Sequence, residues 1–270
     1  MLYHYTSINS LVQILENKSF MFNNLTACDD LEEAESKDLG RIGKFVFISS
    51  WTDIEKESIP MWSQYSGNMS GVRIGMQEYP FKIRRYNNEE KGAPFESFLN
   101  LKKYYNENKM TFTGDQPLML KVEYVEDNDK IQPQILTEGT DKDIEKFFRC
   151  EPSKFTLSFD AVGKYKRTCW EFQSEVRYKI FGTPVGIKEK ENIPAEQMLK
   201  MQRETLRRVL DVSYTPPYSA LYLDLDEAAI NNMEIVFGPR MNAAEKILLK
   251  TFLNSKGLEK NYRDSSLKIQ

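Results

Sequence analysis

The first fifteen residues pass from an apolar, strand-like run directly into a helix, and this handover limits the chain to folds that mix short strands with helices. Leu2-Tyr3-His4-Tyr5 reads as a strand, and a helix opens at Thr6 or Ser7, where a hydroxyl can cap the first free N–H groups. Ile8, Leu11, Val12, Ile14 and Leu15 then recur on one helical face, which ends near Asn17. The same alternation continues. Residues 20–22 predict a short strand, 23–35 a polar, acidic loop passing into a helical turn, and 44–49 an almost continuous apolar run suited to a buried strand. Residues 61–65 predict a short helix stopped at Gly67, and 71–76 and 118–125 predict strands. Helices are expected over 141–150, 194–211 and 243–253, and strands over 176–180, 218–225 and 233–237.

No Gly/Ser-rich or Pro-rich linker divides the 270 residues, so a single domain over 1–270 is expected. Between about 80 and 117 the composition turns polar and aromatic, with a helical pattern near 95–105, which reads as an insertion on the sheet. A net charge of −3 announces no basic field of the kind that recruits nucleic acid. The short clusters Lys82, Arg84, Arg85 and Lys164, Lys166, Arg167 read as solvated surface. Three cysteines, Cys28, Cys150 and Cys169, are odd in number and lack metal-site spacing, which points to a reducing compartment. The amino terminus lacks a signal-peptide pattern and no stretch of about twenty apolar residues occurs, so a cytoplasmic protein that does not engage a membrane is expected.

Several constellations are candidates for chemistry. His4 is the only histidine and stands where the first strand meets the first helix, although a lone histidine is ordinarily a packing residue. Gln173 and Glu175 are read on one strand, where side chains at i and i+2 share a face about 6.5–7 Å apart. An amide and a carboxylate so placed can engage neighbouring parts of one ligand. The alternatives are a solvated edge and a salt bridge from Glu175 to Arg177 on the same face. Trp51, Trp62 and Tyr65 can stack on a flat heterocycle or pack in the core. Gly71 and Gly75 form no phosphate-cradling fingerprint, and no Rossmann, Walker or nucleophile-elbow motif occurs. Asp29, Asp30, Glu32, Glu33 and Glu35 lack a partner histidine and a calcium-loop pattern, so they read as solvated surface and no metal site is expected.

The order of Tyr3-His4-Tyr5-Thr6-Ser7, the acidic turn at Asp29 to Glu32, Met61-Trp62 with Tyr65, Gly71-Val72, Trp170 with Glu175-x-Arg177, and Glu234-Ile-Val-Phe-Gly238 resembles a widespread bacterial family of unknown function. The chain departs from that pattern at Cys28-Asp-Asp-Leu-Glu32, where Asn-Asp-Pro-Phe-Glu is usual, and at Gln173, where a second glutamate is common. More distantly, the order of a histidine on strand one, hydroxyl and aromatic residues after a later strand, and a glutamate opening a further strand is similar to the ADP-ribosyltransferase superfamily. That resemblance implies an α+β fold with a split, mainly antiparallel sheet and flanking helices. It implies an NAD-dependent ADP-ribosyltransferase, as a toxin or phage-defence effector. His4, Gln173 and Glu175 take the catalytic positions. His4, Tyr5, Ser50, Thr52, Trp62, Tyr65 and Arg177 take the NAD-binding ones. NAD is then a substrate and no metal is needed. The acceptor is a macromolecule, protein or nucleic acid, and a neutralising partner is possible. The rival readings are a non-catalytic ligand-sensing or nucleic-acid-binding module on the same fold, and a nuclease using the acidic turn with Glu171 and Glu175.

Overall fold

The computed structural model describes residues 1–86, 94–104, 110–112, 116–184 and 194–269. Strand β1 (Leu2–Thr6) runs into helix α1 (Ile8–Asn17), whose Ser7 cap accepts a hydrogen bond from the Ser10 amide. Leu11, Ile14 and Leu15 form the buried stripe of α1, so the predicted helix and its cap stand as read. Strands β2 (Ser19–Asn24), β3 (Val46–Thr52) and β4 (Val72–Met76) follow, with the short helix α2 (Ile59–Tyr65) between β3 and β4. The apolar run at 44–49 is displaced from its expected position. Lys44 and Phe45 close a 3-10 turn and the strand starts at Val46, because Lys44 reaches out to the carbonyls of Asp211, Val212 and Tyr214.

Further along lie β5 (Leu118–Lys121), helix α3 (Asp141–Phe148), β6 (Glu175–Thr183), helix α4 (Ala195–Leu210), β7 (Ala220–Asp224), β8 (Glu234–Phe237), helix α5 (Ala243–Ser255) and β9 (Tyr262–Asp264). The expected strand over 118–125 breaks at Val122, beyond which Glu123–Tyr124 pairs in parallel with Tyr165–Lys166. In the 80–117 segment, Phe95–Ser97 is a strand paired with Arg84–Tyr86, and helix is confined to Leu101–Tyr104. Residues 87–93, 105–109 and 113–115 of that segment lie outside the described residues.

The fold is mixed α+β around a mainly antiparallel sheet in the order β7-β2-β3-β1-β4-β8-β9. β6 runs along the other edge of β3, from Glu175 opposite Thr52 to Phe181 opposite Val46, and β5 pairs with β6. Two strands therefore share one edge of β3. β2 meets it at Phe47 and Ile48, β1 meets it at Thr52, and Ser49, Ser50 and Trp51 lie in the fork between them. Apolar side chains fill the centre: Phe22, Phe45, Phe47, Ile74, Leu221 and Phe237 are all fully buried.

The return from α2 to β4 fixes where α2 ends. Gly67, Asn68 and Met69 are three consecutive left-handed residues, which reverse the chain within one turn. Gly71 then donates to the Ser66 carbonyl at 2.6 Å, and Gly238 donates to the Gly71 carbonyl at 2.8 Å. A Cβ on Gly71 would collide with the backbone oxygens of Thr6 and Ser66, and neither can retreat without breaking the sheet. From the other side Glu57 accepts from Trp62 Nε1, the Ser265 and Ser266 hydroxyls and the Ser266 amide. Leu267 and Ile269 pack against a small cluster that includes Tyr5, Met61 and Trp62. Gly71→Ala is expected to lower stability by about 1–3 kcal/mol through overpacking, read as a lower denaturant midpoint with an unchanged slope.

Candidate functional site

Forking the sheet leaves the Ser50 carbonyl without a strand partner on that edge, and a buried carbonyl needs a donor. His4 supplies it, with Nδ1 2.8 Å from Ser50 O. A carbonyl only accepts, so Nδ1 carries the proton and Nε2 is left as an acceptor. The ring lies edge-on to Phe20 at 5.5 Å and tilted against Trp51 at 5.3 Å. Burial among these rings holds the His4 pKa below its ordinary value, so the neutral form persists.

His4 forms part of the wall between two adjoining cavities. The inner one, about 190 Å³, is lined by His4, Asp29, Tyr65, Lys166, Gln173 and Glu175 among others. The outer one, about 820 Å³, opens along α1 toward Lys103, Tyr222 and Asp224. The two share His4, Tyr5, Asn23, Cys28, Ser50 and Tyr65, so they form one cleft with a narrow polar end and a wide mouth. A separate cavity of about 720 Å³ lies between α3, α4 and the end of β6. Its lining is mostly apolar and contains no carboxylate or imidazole.

The floor of the inner cavity is a buried charge network centred on Arg177. Its Nε and one Nη bond the two oxygens of Glu175 at 2.5 and 3.0 Å. The other N–H groups reach both oxygens of Glu33 and the Gly163 carbonyl, so all five guanidinium protons are used. Lys166 Nζ adds bonds to Glu175 at 2.9 Å and Gln173 at 3.0 Å, and stands 3.8 Å from Glu33. Burial alone would raise the Glu175 pKa, but Arg177 and Lys166 override it and hold the carboxyl at about 2. At Glu33 burial outweighs the same two cations and pushes the carboxyl up. The salt bridge between Glu175 and Arg177, one of the alternatives open in the sequence, is present.

Gln173 is not on a strand. Residues Thr168–Gln173 form a 3-10 turn, Ser174 takes left-handed backbone, and the strand begins at Glu175. The i, i+2 geometry therefore does not apply, yet Lys166 bridges the two side chains directly. Gln173 also donates to the Tyr65 hydroxyl at 2.5 Å. Burial pushes the Tyr65 phenol up, and the nearby negative charge of Asp29 pushes it further.

Of the residues singled out in the sequence, His4, Tyr5, Ser50, Tyr65, Gln173, Glu175 and Arg177 line the inner cavity. Thr52 and Trp62 do not. Thr52 is buried where β3 meets β1 and β6, with its hydroxyl accepting from the Ile54 amide. Trp62 packs edge-on against Tyr5 and bonds Glu57, away from the cleft. Trp51 takes the aromatic place instead, with its indole N–H held by Ser49.

Sequence reasoning missed Lys166 and Glu33, both read as solvated surface. Alternation would place Lys164 and Lys166 on one face, yet Lys164 pairs with the exposed Glu123 while Lys166 turns inward, so the local pattern carried no signal. Cys28 also lines the cleft, but burial, reinforced by Glu33, pushes its thiol to about 12 and keeps it protonated. Glu32 is paired with Arg167 and Glu171 is exposed, so of the acids invoked for a nuclease only Asp29 lies beside Glu175. Among the described residues, no group of three or more His, Cys, Asp or Glu side chains is arranged to hold a metal ion.

Residues 61–178 match the model of a family described as "Protein of unknown function (DUF2971)". That span contains Tyr65, Lys166, Gln173, Glu175 and Arg177, while His4, Asp29 and Glu33 precede it. No curated protein and no solved structure matches the chain.

Two expectations follow from this geometry. Glu175→Gln strands a buried cation, so stability should fall by about 3–5 kcal/mol. Adding Lys166→Met removes one charge of the opposite sign and should recover part of that loss, which a double-mutant cycle by denaturant unfolding reads directly. The second concerns pH. The unfolded chain protonates His4 near 6.5 and the folded chain only lower, so its contribution is complete above pH 6.5 and is lost as the pH falls below it. The melting temperature of His4→Asn should therefore depend less on pH between about 5 and 7 than that of the parent.

Proposed function

We propose that the chain is an NAD-dependent ADP-ribosyltransferase with an ADP-ribosyltransferase-like fold. The observation that carries this reading is the convergence of His4, Tyr65, Gln173 and Glu175 at the narrow end of one cleft, in the fork of a split sheet. A narrow polar compartment joined to a wide mouth suits a bipartite ligand. The nicotinamide ribose occupies the inner end and the ADP half occupies the outer cavity.

Within this reading each side chain has a defined task. His4 presents the unprotonated Nε2 as an acceptor for a ribose hydroxyl. Tyr65 and Trp51 offer aromatic surface to a flat base. Gln173, bonded to both Tyr65 and Lys166, orients the incoming acceptor group. Cleaving the nicotinamide–ribose bond develops positive charge on the sugar, which a preorganised anionic site stabilises better than water does.

One observation favours a second reading. The Glu175 oxygens already accept from Arg177 and Lys166, so this carboxylate is neutralised where it lies. A neutralised floor suits a non-catalytic ligand-binding module that recognises its ligand without cleaving it.

Incubating the protein with labelled NAD and a cell extract separates the two readings. A transferase releases nicotinamide and labels a macromolecular fraction, whereas a binding module retains NAD intact in a calorimetric titration. For the transferase, Gln173→Ala should reduce label transfer by on the order of a hundredfold through lost orientation, while hydrolysis to free ADP-ribose continues. Equal loss of both activities would assign Gln173 to NAD binding itself.

A further inference from the structure

The separate cavity between α3, α4 and the end of β6 is built from two apolar faces. One is aromatic and includes Phe155, Phe159 and Phe181. The other is a stripe of α4 in which Met198, Met201 and Val209 stand at helical spacing. Its volume of about 720 Å³ falls within the roughly 300–1,000 Å³ of small-molecule sites. Met198, at its edge, is 49 % exposed, so apolar surface is left facing water there.

Both walls are braced from outside the lining. Phe159 stacks on Phe181 at 4.6 Å. The Phe159 carbonyl, with those of Asp160 and Val162, accepts from the buried Lys179 ammonium at 3.3, 3.0 and 2.9 Å. Lys179 and Phe181 alternate along β6 and share a face, so the strand holds the aromatic wall at two adjacent points. Across the cavity, Arg203 donates to the Phe147 carbonyl at 3.0 Å and Arg208 to the Pro184 carbonyl at 2.7 Å, which ties α4 to the rim. Interiors leave few voids larger than a water molecule. An apolar space of this size between braced walls is therefore a feature of the fold and not a packing remainder.

The charges around it define the occupant. Lys154 is the one charged residue of the lining, is exposed, and makes no ion pair among the described residues. The neighbouring arginines are engaged: Arg208 by Glu204 and the Pro184 carbonyl, Arg203 by the Phe147 carbonyl and ring. With no carboxylate in the lining, the cavity suits an apolar body that ends in one anionic group. Methionine walls adapt to a flexible chain. We infer that this cavity is a binding site for a medium- or long-chain carboxylate, its alkyl chain between β6 and α4 and its head group at Lys154. The inference goes beyond the dinucleotide reading and does not depend on it. The two sites share only β6, whose Glu175 and Arg177 line the cleft and whose Phe181 and Thr183 line this cavity.

The test is a calorimetric titration of the full chain with octanoate, decanoate and dodecanoate, each below its critical micelle concentration, and with decanol as the uncharged counterpart. The expected result is one molecule bound per chain, with affinity rising about fourfold per added methylene. Lys154→Gln should weaken decanoate about two- to fivefold, as for an exposed ion pair, and leave decanol unchanged. Met201→Trp fills the cavity and should abolish binding of both. Thermal melts check that the variants fold, and Thr205→Phe on the same stripe is the second blocking variant if Met201→Trp does not. Absence of saturable binding, affinity independent of chain length, decanol bound as tightly as decanoate, or binding that survives the blocking variants overturns the inference.

Discussion

The arrangement of Arg177 between Glu33 and Glu175, with Lys166 closing the group, is the interaction on which the site depends. Four charges from three separate stretches of chain, the turn Glu32–Ala34, the short strand Tyr165–Lys166 and β6, meet with almost no access to water. Taking such charges out of water is expensive, and their mutual attraction offsets the cost only when geometry and hydrogen bonding are complete. Here they are nearly complete: the guanidinium uses every proton, and the Glu175 backbone amide donates to the Tyr124 hydroxyl. The network is therefore better understood as fixing one arrangement of the acidic turn and the 3-10 turn against β6 than as a source of net stability.

That rigidity matters because the cleft lies in a weak part of the sheet. β1 and β2 both pair with β3 but part from each other around Ser49–Trp51, and a forked edge exposes backbone groups that would otherwise be paired. His4 closes the fork through one bond to Ser50 O and presents its other nitrogen to the cavity. The same residue is thus a structural bridge and a wall of the site. The contest between packing and function that a lone histidine poses has no single winner here, because the packing contact sets the tautomer that function would use.

Much of this was legible from the chain. The Ser7 cap, the apolar stripe of α1 and the glycines around Met69 are local signals, and local signals survive folding. The convergence of His4, Tyr65, Gln173 and Glu175 on one cleft was reached by resemblance, not by pattern. Three features were out of reach for physical reasons. Ser174 in left-handed backbone ends a 3-10 turn where alternation predicted a strand, and serine carries no marker for that conformation. Lys166 and Glu33 belong to charged runs that look solvated, and only tertiary pairing reveals their burial. Trp51 and Trp62 are indistinguishable as aromatic candidates until the fork of the sheet turns one toward the cleft and α2 turns the other away.

The charge balance separates two roles that a sequence motif merges. A glutamate two residues before an arginine on a strand reads as a reactive carboxylate, yet at Glu175 the neighbouring cations hold the pKa at about 2 and occupy its oxygens. Its negative charge is spent on holding Lys166 and Arg177 in place. Asp29, exposed at the cavity wall and in no ion pair among the described residues, is the less protected acid there. Burial and pairing make a carboxylate structurally indispensable and electrostatically quiet. The acidic turn, which resembles ordinary solvated surface, supplies Glu33 to that network and Asp29 to the wall of the same cavity, so it shapes the cleft together with the strand that the motif marks.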